Sequence, residues 1–229
     1  MQKTIVVGDI HGCLDELGDV LRASGYARGD RLVLAGDLVA KGPDSAGVLA
    51  LAREEGALAV LGNHDAHALD ARRRMTGTAG DGGAPAKIKR ERRALLDTLA
   101  DADWAFLEGL PLFLRLGPER DGDPPTAVVH AGAVPGLPLE RQQRDHLLTL
   151  RSINDAGEPS KRIEGTPWAS LWRGPERLIF GHDAVRGLQQ YPLATGLDTG
   201  CVYGGRLSAV ILPERRILSV PARRTYSPP

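Results

Sequence analysis

The chain holds only two cysteines, Cys13 and Cys201, far apart and without CxxC spacing. That pattern makes a structural zinc site and a disulfide framework unexpected, and both thiols read as structural. Net charge is missing too, with 29 Lys and Arg against 29 Asp and Glu. This balance argues against a protein whose main work is coating nucleic acid. No apolar run approaches the roughly 20 residues needed to span a bilayer. The first strand begins at Thr4, leaving no room for a signal peptide, so the cytoplasm is the expected compartment. Internal repeats and low-complexity segments are also lacking. What remains is a chain of 229 residues with 42% hydrophobic content, enough for one domain over 1–229 with a full core.

The run Thr4-Ile5-Val6-Val7 reads as a buried strand, closing on Gly8 and then presenting Asp9 and His11. A hard oxygen donor beside a nitrogen donor suits a divalent ion of the manganese, iron, cobalt or zinc type. Taken alone, Asp-x-His is equally an ordinary solvated turn. The arrangement then recurs. Leu14 to Leu21 has helical spacing, and Arg31 to Ala35 is a second strand ending on Gly36-Asp37. Pro43 can open a helix through Ala52, and Ala57 to Leu61 is a third strand ending on Gly62-Asn63-His64-Asp65. Strand, polar cluster and helix in repetition predict an α/β protein with parallel strands. Ligands in such sheets sit beyond the carboxyl ends of the strands, where Asp9, His11, Asp37, Asn63 and His64 all fall.

Residues 66–110 break the alternation, and a lid inserted into the α/β core is expected there. It carries a flexible loop over Thr76 to Pro85 and helices over Lys87 to Leu99 and around Trp104 to Leu110. Between Asp70 and Arg93, eight basic residues stand against three acidic ones. The second half reads mainly as strands, at 112–116, 126–129 and 177–180, with a helix near 139–148. A strand pair is expected at 196–203 and 206–212, an edge strand at 217–220 and a frayed tail at 226–229. The strand at 126–129 closes on His130, and that at 177–180 on Gly181-His182.

Four of the six histidines (His11, His64, His130, His182) follow an apolar run closely, whereas His67 and His146 do not. Two carboxylates, three imidazoles and an amide oxygen can hold two divalent ions if one carboxylate bridges. Such a pair, about 3.5–4 Å apart, clamps a phosphoryl group and lowers the pKa of a bound water. His64 is then left to protonate the leaving oxygen.

Gly8-Asp9-Ile10-His11-Gly12, Gly36-Asp37-Leu38-Val39-Ala40-Lys41-Gly42, Gly62-Asn63-His64-Asp65, His130-Ala131-Gly132 and Gly181-His182 form an ordered series. It resembles the motifs of the phosphoprotein phosphatase (PPP) family of calcineurin-like metallophosphoesterases. The resemblance implies a four-layer αββα sandwich carrying the small helical lid. It implies that Asp9 and His11 hold the first metal, Asp37 bridges, and Asn63, His130 and His182 complete the second. His64 would be the general acid. Lys41 would hold a phosphate oxygen, with an arginine between the late histidines, Arg151 ahead of Arg162 and Arg173. Two divalent ions are implied, manganese foremost, with cobalt, iron or zinc as alternatives.

Where the protein phosphatases have Asp-Arg, this chain has Ala40-Lys41, which leaves open what orients His64. Lysine also supplies a point charge in place of arginine's two-pronged grip. Diadenosine tetraphosphatases of the ApaH type look closer here, having alanine at that position and a segment similar to Leu197–Leu207. The expected reaction is symmetrical hydrolysis of diadenosine tetraphosphate to two ADP; the alternative is a serine/threonine or tyrosine phosphoprotein phosphatase. No membrane or stable nucleic-acid partner is expected, and a polyphosphate-capped RNA end stays open as a substrate. For Asp198, Thr199 and Tyr203, turn geometry and a wall of the site are both open. Trp168 and Trp172 read as core.

Overall fold

The computed structural model describes residues 2–77 and 90–228. In chain order, β1 (Thr4–Val7), α1 (Leu14–Ser24), β2 (Arg31–Leu34), α2 (Ser45–Glu54) and β3 (Leu58–Ala59) form the first half. Then come three helices, α3 (Asn63–Met75), α4 (Arg90–Thr98) and α5 (Asp101–Glu108), and two strands, β4 (Phe113–Pro118) and β5 (Pro125–Val129). After α6 (Arg144–Thr149), short strands β6 (Ser152–Ile153), β7 (Pro159–Ser160) and β8 (Thr166–Pro167) lead into α7 (Trp168–Leu171). β9 (Arg177–Phe180), β10 (Gln189–Tyr191), β11 (Ala194–Gly196), β12 (Arg206–Leu212) and β13 (Arg216–Pro221) complete the order.

Two mixed five-stranded sheets result, ordered β13-β12-β1-β2-β3 and β10-β11-β9-β5-β4, with a small β7-β6-β8 sheet beside them. β1, β2 and β3 are mutually parallel, while β12 returns antiparallel to β1. The period-2 alternation of strand side chains decides the layering. Ile5 and Val7 of β1 face one cluster, shared with α1 to α5, whereas Val6 faces another. That other cluster joins Val6, Val33 and Val210 of the first sheet to Val128 and Ile179 of the second. Ala127, Val129, Leu178 and Phe180 point the opposite way, onto Leu147, Trp168 and Trp172. Three apolar interfaces separate four layers, αββα. Strands buried on both faces are the reason β1, β2, β5 and β9 read as unbroken apolar runs.

Several local expectations shift. The third strand shrinks to Leu58–Ala59, and the helix near 139–148 splits into a 3-10 turn at Leu139–Arg141 and α6. α2 opens at Ser45 rather than at Pro43, because the Asp44 carboxylate accepts the Gly47 N–H at 2.7 Å and caps it. Residues 196–203 are not a strand beyond Gly196. Gly200 and Gly204 take left-handed φ of 69° and 88°, and the chain between them winds into a 3-10 turn. The tail is docked instead of frayed: the Tyr226 N–H donates to the Val202 carbonyl at 3.0 Å, and its hydroxyl to Glu16 at 2.7 Å. α3, α4 and α5 pack Ala68, Leu69, Leu96, Trp104 and Leu107 into the core under the first sheet. Most of the loop expected over 76–85, and the helix start at 87–89, lie outside the described residues. No described helix is long and apolar enough to cross a membrane.

Candidate metal centre

Five strand ends from the two sheets meet at one edge of the sandwich. The turn after β1 delivers Asp9 and His11, and the turn after β2 delivers Asp37 and Lys41. The N-terminus of α3 delivers Asn63 and His64, while His130 and His182 follow β5 and β9. Asp9, His11, Asp37, His130 and His182 are all buried, with His64 half-buried. Asp37 sits between two donor groups, one with His11 and His64 and one with Asp9 and His130.

Close approach of these turns demands glycine at two points. A Cβ on Gly62 would overlap the Asp37 carboxylate, and one on Gly181 would overlap that of Asp9. The turns that carry these donors are also strained. His11, Asp37, Ala40, Lys41 and His182 hold left-handed φ between 48° and 75°, and Arg215 alone among described non-glycine residues does so elsewhere. Each such residue costs about 1–3 kcal/mol, held in place by the surrounding structure, and such strain gathers at functional sites.

The donor set fits divalent ions. His130 has Nδ1 2.9 Å from the Ala35 carbonyl, and His11 has Nδ1 3.2 Å from the Val39 carbonyl. Those nitrogens must carry the ring proton, which assigns a lone pair to each Nε2. Burial holds both imidazoles below their ordinary range and so neutral. The His130 lone pair faces Asn63 Oδ1 at 2.9 Å and Asp37 Oδ1 at 3.5 Å. That of His11 faces Asp37 Oδ2 at 3.4 Å. His182 Nδ1 also lies 2.9 Å from Asn63 Oδ1. Lone pairs aimed at oxygens repel unless a cation lies between, and imidazoles tied to backbone carbonyls are typical of metal ligands.

The carboxylates agree. Burial, then Asp198 and Asp37, push Asp9 well above the usual carboxylate range. Burial pushes Asp37 up to about 7, and burial with Asp37 beside it pushes Asp198 up to about 6. Three acids crowded beside neutral imidazoles make a site that divalent cations would relieve.

Around this set the structure adds residues that sequence reasoning did not single out. Asp65 accepts the Leu38 and Val39 N–H groups at 3.0 and 3.1 Å, and the Gly62 N–H at 3.0 Å. One buried side chain thus ties the second motif turn to the third. Its placement three residues after Gly62, at the start of a helix, is the local signal that could have found it. Asp65→Ala is expected to cost of order 3 kcal/mol, since it orphans three buried donors. Thermal unfolding of the ion-free protein measures this.

Lys41 Nζ donates to the Tyr203 hydroxyl at 2.6 Å and lies 3.4 Å from His11 Nε2. Tyr203 and the buried Asp198 therefore wall the site, while Thr199 is spent on its own turn, bonded to Arg206 O and Ser208 Oγ. Arg151 is held by the His182 carbonyl at 3.1 Å and by Asp183 at 3.7 Å, and its charge reaches Asp37. Asp183 is itself gripped by Arg186. Arg162 is exposed, and Arg173 bonds the carbonyls of Ser170 and Trp172 near its own helix. The His64 ring stands edge-on to His11, with centroids 4.9 Å apart, and to His67 at 6.0 Å. Trp168 and Trp172 are buried core, as expected.

Comparison with known proteins agrees with this geometry. The model of the calcineurin-like phosphoesterase family matches residues 2–192. The symmetrical bis(5'-nucleosyl)-tetraphosphatase of Edwardsiella ictaluri is 30% identical, over 97% of this chain and 97% of its own. Serine/threonine-protein phosphatase 1 of Salmonella typhimurium is 32% identical, over 89% and 88% respectively. The asymmetrical tetraphosphatase of Oceanobacillus iheyensis is 25% identical, over 98% and 94%. A crystal structure provisionally assigned to a diadenosine tetraphosphatase superposes with a TM-score of 0.82 at 41% identity, covering 96% of this chain and 94% of its own. Strand-end donors, shared carboxylate and family match converge: the chain belongs to the calcineurin-like phosphoesterases and is a metal-dependent phosphoric ester or anhydride hydrolase with a dinuclear metal site.

Proposed function

We infer that the enzyme cleaves diadenosine tetraphosphate and related dinucleoside polyphosphates symmetrically, giving two ADP. The observation that carries this is the Lys41–Tyr203 contact. It sets the late segment 197–207, similar to that of the symmetrical tetraphosphatases, directly against the lysine expected to meet phosphate. The structure provisionally assigned to a diadenosine tetraphosphatase, 41% identical over 96% of this chain, supports the same substrate class.

Following the motif resemblance, Asp9 and His11 would hold one ion and Asn63, His130 and His182 the other, with Asp37 shared, although Asp9 also lies in the same close donor group as His130. Two divalent ions there, manganese by preference, would supply an activated water and neutralise charge on the phosphoryl oxygens. The remaining roles belong to the chain itself. Lys41 binds a non-bridging phosphate oxygen, and Arg151, braced by the His182 carbonyl and Asp183, binds another. His64 gives a proton to the departing oxygen. The net-positive stretch 70–93, in the segment proposed as a lid, would gather a polyanionic substrate, although Arg72 already pairs with Asp101 and Glu108, and Arg73 with Asp70.

Tyr203→Phe is expected to lower kcat/KM about tenfold, the worth of a hydrogen bond to a charged group, with ion content unchanged. Steady-state kinetics beside metal analysis checks it. A phosphoprotein phosphatase is the second reading, favoured by the 32% identity to the Salmonella enzyme. Product analysis on manganese-loaded protein separates the two. ADP as sole nucleotide product, outpacing phosphate release from a phosphopeptide, supports the dinucleotide. AMP with ATP, or rapid phosphate release from the peptide with the dinucleotide intact, overturns it.

A further inference from the structure

The two cysteines, remote in sequence, meet in the core. Cys13, Cys201 and Glu16 bring their donor atoms within 4.8 Å of one another, and all three are at most 2% exposed. Cys13 stands immediately before α1, two residues beyond His11, and makes no side-chain bond to cap that helix. Cys201 opens the 3-10 turn that ends on Tyr203. As apolar filler, buried thiols would need no further account. Glu16 does need one. Its Oε1 accepts the Arg223 N–H at 2.9 Å and the Tyr226 hydroxyl at 2.7 Å. Its Oε2 is buried without a hydrogen-bond partner. An orphaned carboxylate oxygen in an apolar core is costly, and a cation would satisfy it.

We propose that Cys13, Cys201 and Glu16 form a further metal site, taking one thiophilic ion of the zinc class, separate from the strand-end centre. Two sulfurs and one oxygen are donors that zinc accepts, with a fourth position left open. On binding, the two thiols lose their protons to solvent, and the ion takes up the two thiolates and the carboxylate. The site then carries one net negative charge beside the first turn of α1, where the helix dipole favours it. Arg223 and Tyr226 act as the outer partners that hold a ligating carboxylate in place. An ion there pins the turn after His11 to the turn that carries Tyr203, which in turn contacts Lys41.

Cobalt is the probe, because only sulfur ligands give an intense near-ultraviolet charge-transfer band and the strand-end centre has none. Full-length protein, kept reduced with a phosphine and stripped of metal, is titrated with cobalt. The expected result is a sulfur-to-cobalt band saturating at an amplitude for one thiolate-bound ion per chain, and displaced by zinc. Cys13→Ser and Cys201→Ser each abolish it. Glu16→Gln, which keeps both thiols, weakens cobalt binding by roughly tenfold or more. Asp37→Asn retains the band, so failure of the strand-end reading and failure of this one are told apart. No band in wild-type protein at saturating cobalt, with both thiols counted as reduced, overturns the proposal. So does a Cys13–Cys201 disulfide in the freshly isolated protein.

Discussion

Asp37→Asn is expected to weaken both metal sites together and to lower turnover by at least about 10²–10³-fold, the scale of losing a principal electrostatic contributor. Asp37 is shared by the two donor groups, with one oxygen 3.4 Å from His11 Nε2 and the other 3.5 Å from His130 Nε2. Asparagine keeps an oxygen to accept the His64 N–H, which lies 2.8 Å from Asp37 Oδ1. It also removes a buried acid already pushed up to about 7 by its surroundings. The ion-free variant should therefore fold as stably as the parent, which separates lost metal from lost structure. Metal analysis after dialysis, beside a thermal melt, reads both. Retention of one full equivalent would argue against a bridging role.

His64→Ala is the second large effect, and it has the opposite signature. Removing a general acid costs about 10²–10⁴-fold in turnover, while the other donors keep their geometry and both ions stay bound. The ring stands 4.9 Å from that of His11, edge-on, within reach of the same pocket. Its backbone N–H, which holds Asp37, survives the substitution. A substrate whose leaving group needs no proton should recover most of the lost rate. A variant that loses its metal instead would make His64 a ligand.

The candidate donors were legible in the sequence because each follows closely on an apolar strand, a relation between neighbours in the chain. Asp9, His11, Asp37, His130 and His182 needed only the rule that ligands gather at strand ends. The α/β class with parallel strands was legible for a related reason, since unbroken apolar strands demand cover on both faces; the four-layer sandwich followed only from the motif resemblance. What escaped was non-local. Asp65 reaches two N–H groups on the second motif turn, 26 and 27 positions away, and Tyr203 meets a lysine 162 positions away. Tyr226 reaches Glu16 across 210 positions, which is why the tail read as frayed. The strand expected at 196–203 failed because two left-handed glycines override its apolar residues. Spacing in the chain likewise said nothing of Cys13 meeting Cys201.

The central claim is that two ions act together on either side of Asp37. Its most direct test is a manganese titration of metal-stripped protein, following bound metal and diadenosine tetraphosphate hydrolysis on the same samples. Two equivalents are expected to bind at the strand-end centre in samples loaded with manganese alone, with turnover appearing only as the second is taken up. Full activity at a single bound equivalent would contradict the shared-carboxylate centre.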